Sequence, residues 1–269
     1  MNSERQHRAD ICRFGKLLHE RGYVAATDGN LSVRLDAETV LCTPTMISKG
    51  MMEPEDLVKV DMFGRHASGS RRVSTEIAMH LLIYKLRADV HGIVHAHPPT
   101  ATGYAAAGLA LNQALISEIV IALGCVPLAP YATPGTAELT QALEPLVPDH
   151  DAILMANHGV VTYGSDLLQA YMKMETVEHF ASIALVTHLL GRQQLLSEED
   201  VSKLVAAREK YGISTPGRQA GGCPVPGDAQ PQTPAVSAGE TGGPERSSVT
   251  REELISLLKN VVRTPKRRW

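Results

Sequence analysis

Aromatic residues are scarce in this chain of 269 residues, which has one Trp, three Phe and seven Tyr. A core built from it must rest on Ala, Leu, Ile and Val. Cysteines number four (Cys12, Cys42, Cys125 and Cys223), with no C-x-x-C pair among them. That excludes a disulfide framework and leaves reduced thiols, as expected of a cytoplasmic protein. No apolar run reaches the roughly 20 residues that cross a bilayer, so no membrane span is expected. The opening Met1-Asn2-Ser3-Glu4-Arg5-Gln6-His7-Arg8 does not read as a signal peptide. Positive charge is not in excess either: the formal net charge is −3. The chain therefore lacks the electrostatic footprint of a nucleic-acid binder.

What is present is organised. Glu4 to Arg21 carries Ile11, Phe14, Leu17 and Leu18 on one stripe, with Gly22 as a stop, and reads as a helix. Leu31 to Arg34 and Thr39 to Cys42 read as strands about the polar turn Asp36-Ala37-Glu38. Ser48 to Asp56, with Pro54, is a loop, and Val58 to Met62 resumes as a strand. Ser74 is placed to open a helix through Leu86, with Glu76 in its first turn. Ser165 is placed to cap a long helix from Asp166 to Leu190 ended by Gly191, and Ser197 to cap Glu198 to Lys210. The mix predicts an α/β fold, a central sheet covered by helices on both faces.

Composition changes after Tyr211-Gly212-Ile213. Residues 214–248 are dominated by Gly, Pro, Ser, Ala, Thr and Gln and read as a flexible linker. In 249–269 the pattern of a helix returns. Thr250-Arg251-Glu252-Glu253 is a capping box, Val249 and Leu254 stand at the staple positions, and Leu254, Ile255, Leu258, Val261 and Val262 form an apolar stripe. A helix this short on a tether needs a partner surface. The expected division is thus a folded domain at 1–213, a flexible linker at 214–248 and an amphipathic helix at 249–269.

Among the 11 histidines, His95-Ala96-His97 ends a short apolar segment at a proline turn, and Asn157-His158-Gly159 ends another. Residues i and i+2 of a strand share a face, so both imidazoles of the first pair reach one ion. Three neutral imidazoles with an open fourth position make a catalytic metal site, and Glu76 is a carboxylate available for proton transfer beside it. Ser74-Thr75-Glu76 at a helix start offers hydroxyls and free N–H groups to an anion such as phosphate. Thr27-Asp28-Gly29-Asn30-Leu31-Ser32 and Thr43-Pro44-Thr45 are further polar turns of the same kind, and Lys49 is an additional candidate for an anion contact.

In order along the chain, these segments resemble the class II aldolase/adducin family, from the first helix to Ile213. The resemblance rests on Thr27 to Arg34, Thr43-Pro44-Thr45, Ser74-Thr75-Glu76, His95-Ala96-His97, Ala129-Pro130-Tyr131-Ala132-Thr133 with Gly135-Thr136, and Asn157-His158-Gly159. It implies a three-layer α/β/α fold around a mainly antiparallel sheet, with one zinc per subunit held by His95, His97 and His158. It implies Glu76 as the proton carrier and Gly29, Asn30, Thr45, Ser74 and Thr75 as phosphate contacts. It further implies a homotetramer in which Tyr211 reaches a neighbouring subunit's site. The activity implied is that of its fuculose-phosphate aldolases: cleavage of L-fuculose 1-phosphate or L-rhamnulose 1-phosphate to dihydroxyacetone phosphate and lactaldehyde. A sugar-phosphate 4-epimerase or a methylthioribulose-phosphate dehydratase would use the same ligands, whereas an adducin-like assembly domain would have lost them.

Two positions depart from those aldolases. Met46 stands where they have a glycine after Thr-Pro-Thr, and Ile116 to Ile121 holds no tyrosine where they have a tyrosine acid; Glu118 is its one ionisable residue. The linker and terminal helix resemble encapsulation peptides, which deliver enzymes into bacterial microcompartments through a shell protein.

Overall fold

The computed structural model describes residues 3–211. The linker and helix expected at 214–248 and 249–269 lie outside the described residues, as does the side chain of Tyr211.

Seven α-helices and eight strands are found among the described residues. In chain order they are α1 (Glu4–Glu20), β1 (Asn30–Arg34), β2 (Thr39–Cys42), β3 (Val58–Asp61), β4 (His66–Ser68), α2 (Ile77–Leu86), β5 (Gly92–Ala96), α3 (Pro99–Ala106), α4 (Ser117–Ala122), β6 (Leu128–Ala129), α5 (Ala137–Leu143), β7 (Ala152–Met155), β8 (Gly159–Gly164), α6 (Leu167–Leu189) and α7 (Glu198–Ala207). The strands form one sheet in the order β4-β3-β2-β1-β5-β8-β7-β6. Every pairing is antiparallel except β6 with β7. The expected three-layer α/β fold is observed.

Strand alternation decides which side chains meet which helices. On β1, Leu31 and Val33 join the apolar layer shared with Ile11 and Phe14 of α1, Ala101 of α3 and Phe180 of α6. The opposite face of the sheet packs on Met79, Ile83 and Tyr84 of α2 and Leu139 of α5. Asn30 and Ser32 alternate onto this second face. Asn30 pairs with His95 of β5, whose neighbour at i−2, Ile93, also lies in the α2 layer. The register thus carries Asn30, Ser32 and His95 to the underside of α2.

Two expectations about boundaries are corrected. Helix α2 starts at Ile77, not at Ser74. Glu76 takes the N-cap position, and the Ser74 hydroxyl accepts from the Glu76 N–H at 3.3 Å in a tight turn before it. The cap of α6 is Asp166, not Ser165; its carboxylate accepts from the Gln169 N–H at 2.7 Å. The apolar run that ends at His158 is the first arm of a hairpin, since the chain turns at Asn157 (φ +54°) and returns as β8. Asparagine is among the few residues that tolerate this left-handed conformation.

Candidate metal centre

His95 is fully buried near the end of β5. Its Nδ1 lies 2.9 Å from the Val160 carbonyl of β8. A carbonyl only accepts, so Nδ1 carries the hydrogen and Nε2 presents a lone pair. Burial pushes the His95 pKa down to about 3 against the opposing pull of Glu76, which keeps the ring neutral. His97 stands one residue past the strand end, with its N–H bonded to the Tyr23 carbonyl at 2.8 Å. Its Nε2 is 3.2 Å from that of His95. Asp28 Oδ2 lies 3.6 Å from His97 Nδ1 and favours the hydrogen there, so both Nε2 atoms face the same point. Burial, and then His158, lowers the His97 pKa as well.

His158 comes from the β7–β8 turn. The three rings meet in pairs with centroids 4.9, 4.7 and 5.2 Å apart, and one nitrogen of each lies within 4.8 Å of the others. Gly159 makes this approach possible: a Cβ there would sit 2.4 Å from Cδ2 of His97.

Glu76 completes the cluster. Its Oε1 is 3.1 Å from His158 Nε2 and its Oε2 is 3.4 Å from His95 Nε2, while the Asn30 amide donates to Oε2 at 2.7 Å. Burial raises the pKa of this carboxyl. His95, His158 and the Asn30 amide outweigh that and hold it well below the usual carboxylate range. Two buried atoms at the cluster, Glu76 Oε1 and His158 Nδ1, have no hydrogen-bond partner. Converging neutral imidazoles beside an ionised carboxylate are the donor set of a divalent cation, and these residues fit one.

The polar turns gather around the cluster. Gly29 (φ +71°) packs against β5 so closely that a Cβ would lie 2.8 Å from the His95 carbonyl. The Thr45 N–H bonds to the Arg72 carbonyl at 3.0 Å and Pro44 bridges Val73, joining the Thr45 loop to the segment bearing Ser74 and Thr75. Met46 adopts φ +59° and is exposed. The loop thus keeps a glycine-type backbone around a methionine, at about 1–2 kcal/mol of strain.

Lys49 differs from its expected role. It is buried, and its ammonium donates to the Thr27 and Ile47 carbonyls at 2.9 and 2.8 Å, stapling the loop that leads to Asp28 and Gly29. Glu118 is exposed on α4.

Two supporting residues escape sequence reading. Glu178 of α6, buried, accepts from the Thr100 and Ala101 N–H groups at 2.9 and 2.8 Å. It thereby caps α3, the helix that follows His97, with a charge at the favourable end of the dipole. Such charge-assisted bonds are worth roughly 1.5–3 kcal/mol each. The other is His80, four residues after Glu76 and therefore on the same side of α2.

The fold and the cluster together define an α/β scaffold with a candidate metal site at the strand ends. The chain belongs to the class II aldolase and adducin N-terminal domain family, whose model matches residues 9–185. It is 34% identical over 210 residues to 3-oxo-tetronate 4-phosphate decarboxylase of Pectobacterium atrosepticum, covering 76% of this chain and 94% of the relative. It is 32% identical to 5-deoxy-D-ribulose 1-phosphate aldolase of Bacillus thuringiensis, covering 77% and 97%. Among solved structures, an L-fuculose 1-phosphate aldolase superposes with a TM-score of 0.71 at 31% identity, covering 77% of this chain and 96% of that one. The protein is thus an enzyme of this lyase family. No helix among the described residues is long and apolar enough to cross a membrane.

Proposed function

We propose that the protein is a zinc-dependent aldolase that cleaves L-fuculose 1-phosphate or L-rhamnulose 1-phosphate to dihydroxyacetone phosphate and lactaldehyde. The observation that carries this reading is the Glu76 carboxylate set 3.1 and 3.4 Å from two of three converging imidazoles. His95, His97 and His158 would hold the cation, which when bound supplies Lewis-acid polarisation of the ketose carbonyl and offsets the charge of the enediolate. The remaining work falls to the chain. In cleavage the hydroxyl on carbon 4 loses its proton, the C3–C4 bond breaks, and its electron pair becomes the enediolate of dihydroxyacetone phosphate. Glu76, ionised at rest, takes up that hydroxyl proton and delivers it to carbon 3. Gly29, Asn30, Thr45, Ser74 and Thr75 are assigned to the phosphate, which leaves the reacting carbons facing Glu76.

One observation favours a second reading. The stretch Ile116 to Ile121 offers no tyrosine to exchange a proton with the departing aldehyde. Decarboxylation needs no such group, because CO2 leaves without a proton. Loss of C1 from a 3-oxo-tetronate 4-phosphate, the substrate named for the Pectobacterium relative, would leave the same enediolate, with Glu76 passing to carbon 2 a proton taken up from water.

Both readings release dihydroxyacetone phosphate, so the co-product decides between them. The zinc-loaded full chain is expected to release lactaldehyde from one of the two ketose phosphates, and a chelator to abolish that release. Release of CO2 from 3-oxo-tetronate 4-phosphate with no lactaldehyde from either sugar would transfer the assignment to the decarboxylase. No dihydroxyacetone phosphate from any of the three would point to the epimerase or dehydratase class.

The sequence of 249–269, behind the linker at 214–248, supports a targeting role for that segment, with the enzyme packaged behind a microcompartment shell that retains the aldehyde. Deleting Val249 to Trp269 is expected to leave kcat unchanged while abolishing co-purification with co-expressed shell proteins. Unchanged shell association would reject the role. The family resemblance further supports a homotetramer, which sedimentation of the full chain reads directly, with Tyr211 reaching into a neighbouring site.

A further inference from the structure

Beneath Glu76 runs a buried chain of hydrogen bonds that the proton transfer just proposed does not itself use. Tyr84 Oη is 2.9 Å from Ser32 Oγ, and Ser32 Oγ is 2.6 Å from His80 Nδ1. His80 Nε2 is 2.5 Å from Asn30 Oδ1, and Asn30 Nδ2 is 2.7 Å from Glu76 Oε2. Asn30, Ser32, His80 and Tyr84 are all at most 4% exposed. The four side chains beneath Glu76 are thus buried, and their polar atoms are satisfied by one another.

The direction of every bond follows from its two ends. Glu76 is an anion that accepts only, so the Asn30 amide must turn its NH2 toward Oε2; the flipped amide would set two oxygens against each other. That turns Oδ1 toward His80, and Oδ1 only accepts. His80 therefore carries its hydrogen on Nε2 and presents the Nδ1 lone pair to the Ser32 hydroxyl. Ser32, having donated its one hydrogen, accepts that of Tyr84. Burial pushes the His80 pKa down to about 4, against a weaker opposing effect of Glu76, which agrees with a neutral ring.

We propose that His80 is a positioning residue: its Nε2–H locks the Asn30 amide so that Nδ2 occupies Glu76 Oε2, leaving Oε1 as the oxygen that exchanges the proton with substrate carbon. The inference rests on the role given to Glu76 above. Oε1 is the oxygen without a hydrogen-bond partner in the structure. A carboxylate whose two oxygens were equivalent would spend part of its time with the proton on the wrong side. The amide is not a proton wire, since its nitrogen cannot accept; it sets the orientation and polarity of Glu76. In this reading one hydrogen of the Asn30 side chain serves Glu76 rather than phosphate. The α2 spacing explains why a histidine fulfils this role: Glu76, His80 and Tyr84 recur at i, i+4 and i+8 on the helix side facing β1.

Two measurements test the proposal. The first needs no substrate. In 15N-histidine-labelled full-length protein, the His80 signal, assigned by its loss in His80→Gln, is expected to be that of a neutral ring with hydrogen on Nε2. A ring with hydrogen on Nδ1, or an imidazolium, overturns the proposal.

The second is kinetic, with the ketose phosphate that the wild type cleaves. His80→Leu is expected to lower kcat by roughly 10–100-fold, the usual cost of losing a partner one step removed from the reacting groups, with KM changed less than about threefold. His80→Gln, whose amide N–H can occupy the place of Nε2–H, should recover most of the loss. The double variant His80→Leu/Asn30→Ala should be no slower than Asn30→Ala alone, because the two residues act as one unit. Additive losses, or a Gln variant as slow as Leu, overturn the positioning role, whereas a folding defect would show as a lowered Tm shared by Leu and Gln. A wild type that cleaves neither sugar but shows the Nε2–H ring refutes the aldolase reading and upholds the lock of His80 on the Asn30 amide.

Discussion

Replacing His97 by alanine is expected to give a folded protein that retains no stoichiometric divalent metal after gel filtration and has lost more than about 100-fold in turnover. The figure is a lower bound, since removing an outer partner of a ligand already costs roughly 10–100-fold and here a donor itself is lost. His97 is the informative choice among the three imidazoles. His95 is completely buried and bonded to β8, so its removal would confound metal loss with a cavity in the core. The side chain of His97 is 27% exposed and lies beyond the last strand residue, while its backbone N–H, not its ring, ties it to Tyr23. Alanine there removes one nitrogen from a set of three and leaves two, too few to hold an ion against dilution. The Tm of the metal-free variant should match that of metal-free wild type. His91→Ala, at an exposed histidine four residues before His95, should leave metal content and turnover unchanged. A His97→Ala protein that binds one equivalent of zinc as tightly as wild type would remove His97 from the ligand set.

The three histidines were legible in the sequence because their chemistry is carried by residue type and by strand-end spacing. The sheet and its long helices were legible for the same kind of reason, apolar periodicity and punctuation by Gly and Pro. What escaped depended on contacts between distant segments. Strand β4 (His66–Ser68) contains no large apolar residue and exists through its pairing with β3. The start of α2 moved because Ser74 spends its hydroxyl in a local turn, which places Glu76 at the cap with its carboxylate turned toward the imidazoles. His80 reads in the sequence as one polar residue in an apolar helix. Its partners Asn30 and Ser32 lie about fifty residues earlier and face it only once β1 has paired with β5 in a particular register. Met46 shows the reverse case: the sequence breaks a glycine rule, and the backbone adopts the glycine conformation regardless.

Glu76→Gln is expected to keep the metal and lose turnover by roughly 10²–10⁴-fold, the usual worth of a positioned acid or base. The substitution preserves shape and removes little besides the ability to take up a proton. A glutamine oxygen can still accept from Asn30 Nδ2, now at 2.7 Å from Oε2. Its NH2 then takes the position of Oε1, 3.1 Å from His158 Nε2. The Asn30 bond survives and the side chain keeps its shape, so the Tm should change little. The three imidazoles are untouched, so close to one equivalent of metal should remain, somewhat more weakly held for want of the negative charge. The combination separates proton transfer from metal binding: His97→Ala loses both metal and turnover, whereas Glu76→Gln loses turnover alone. Glu76→Asp should fall between wild type and Gln, because the carboxylate survives but retreats by one methylene from the carbon it serves. If Glu76→Gln turns over at a near-normal rate, the proton is carried by another group. If it loses its metal as fully as His97→Ala, Glu76 is a ligand first, and its place beside the imidazoles would have to be read as coordination.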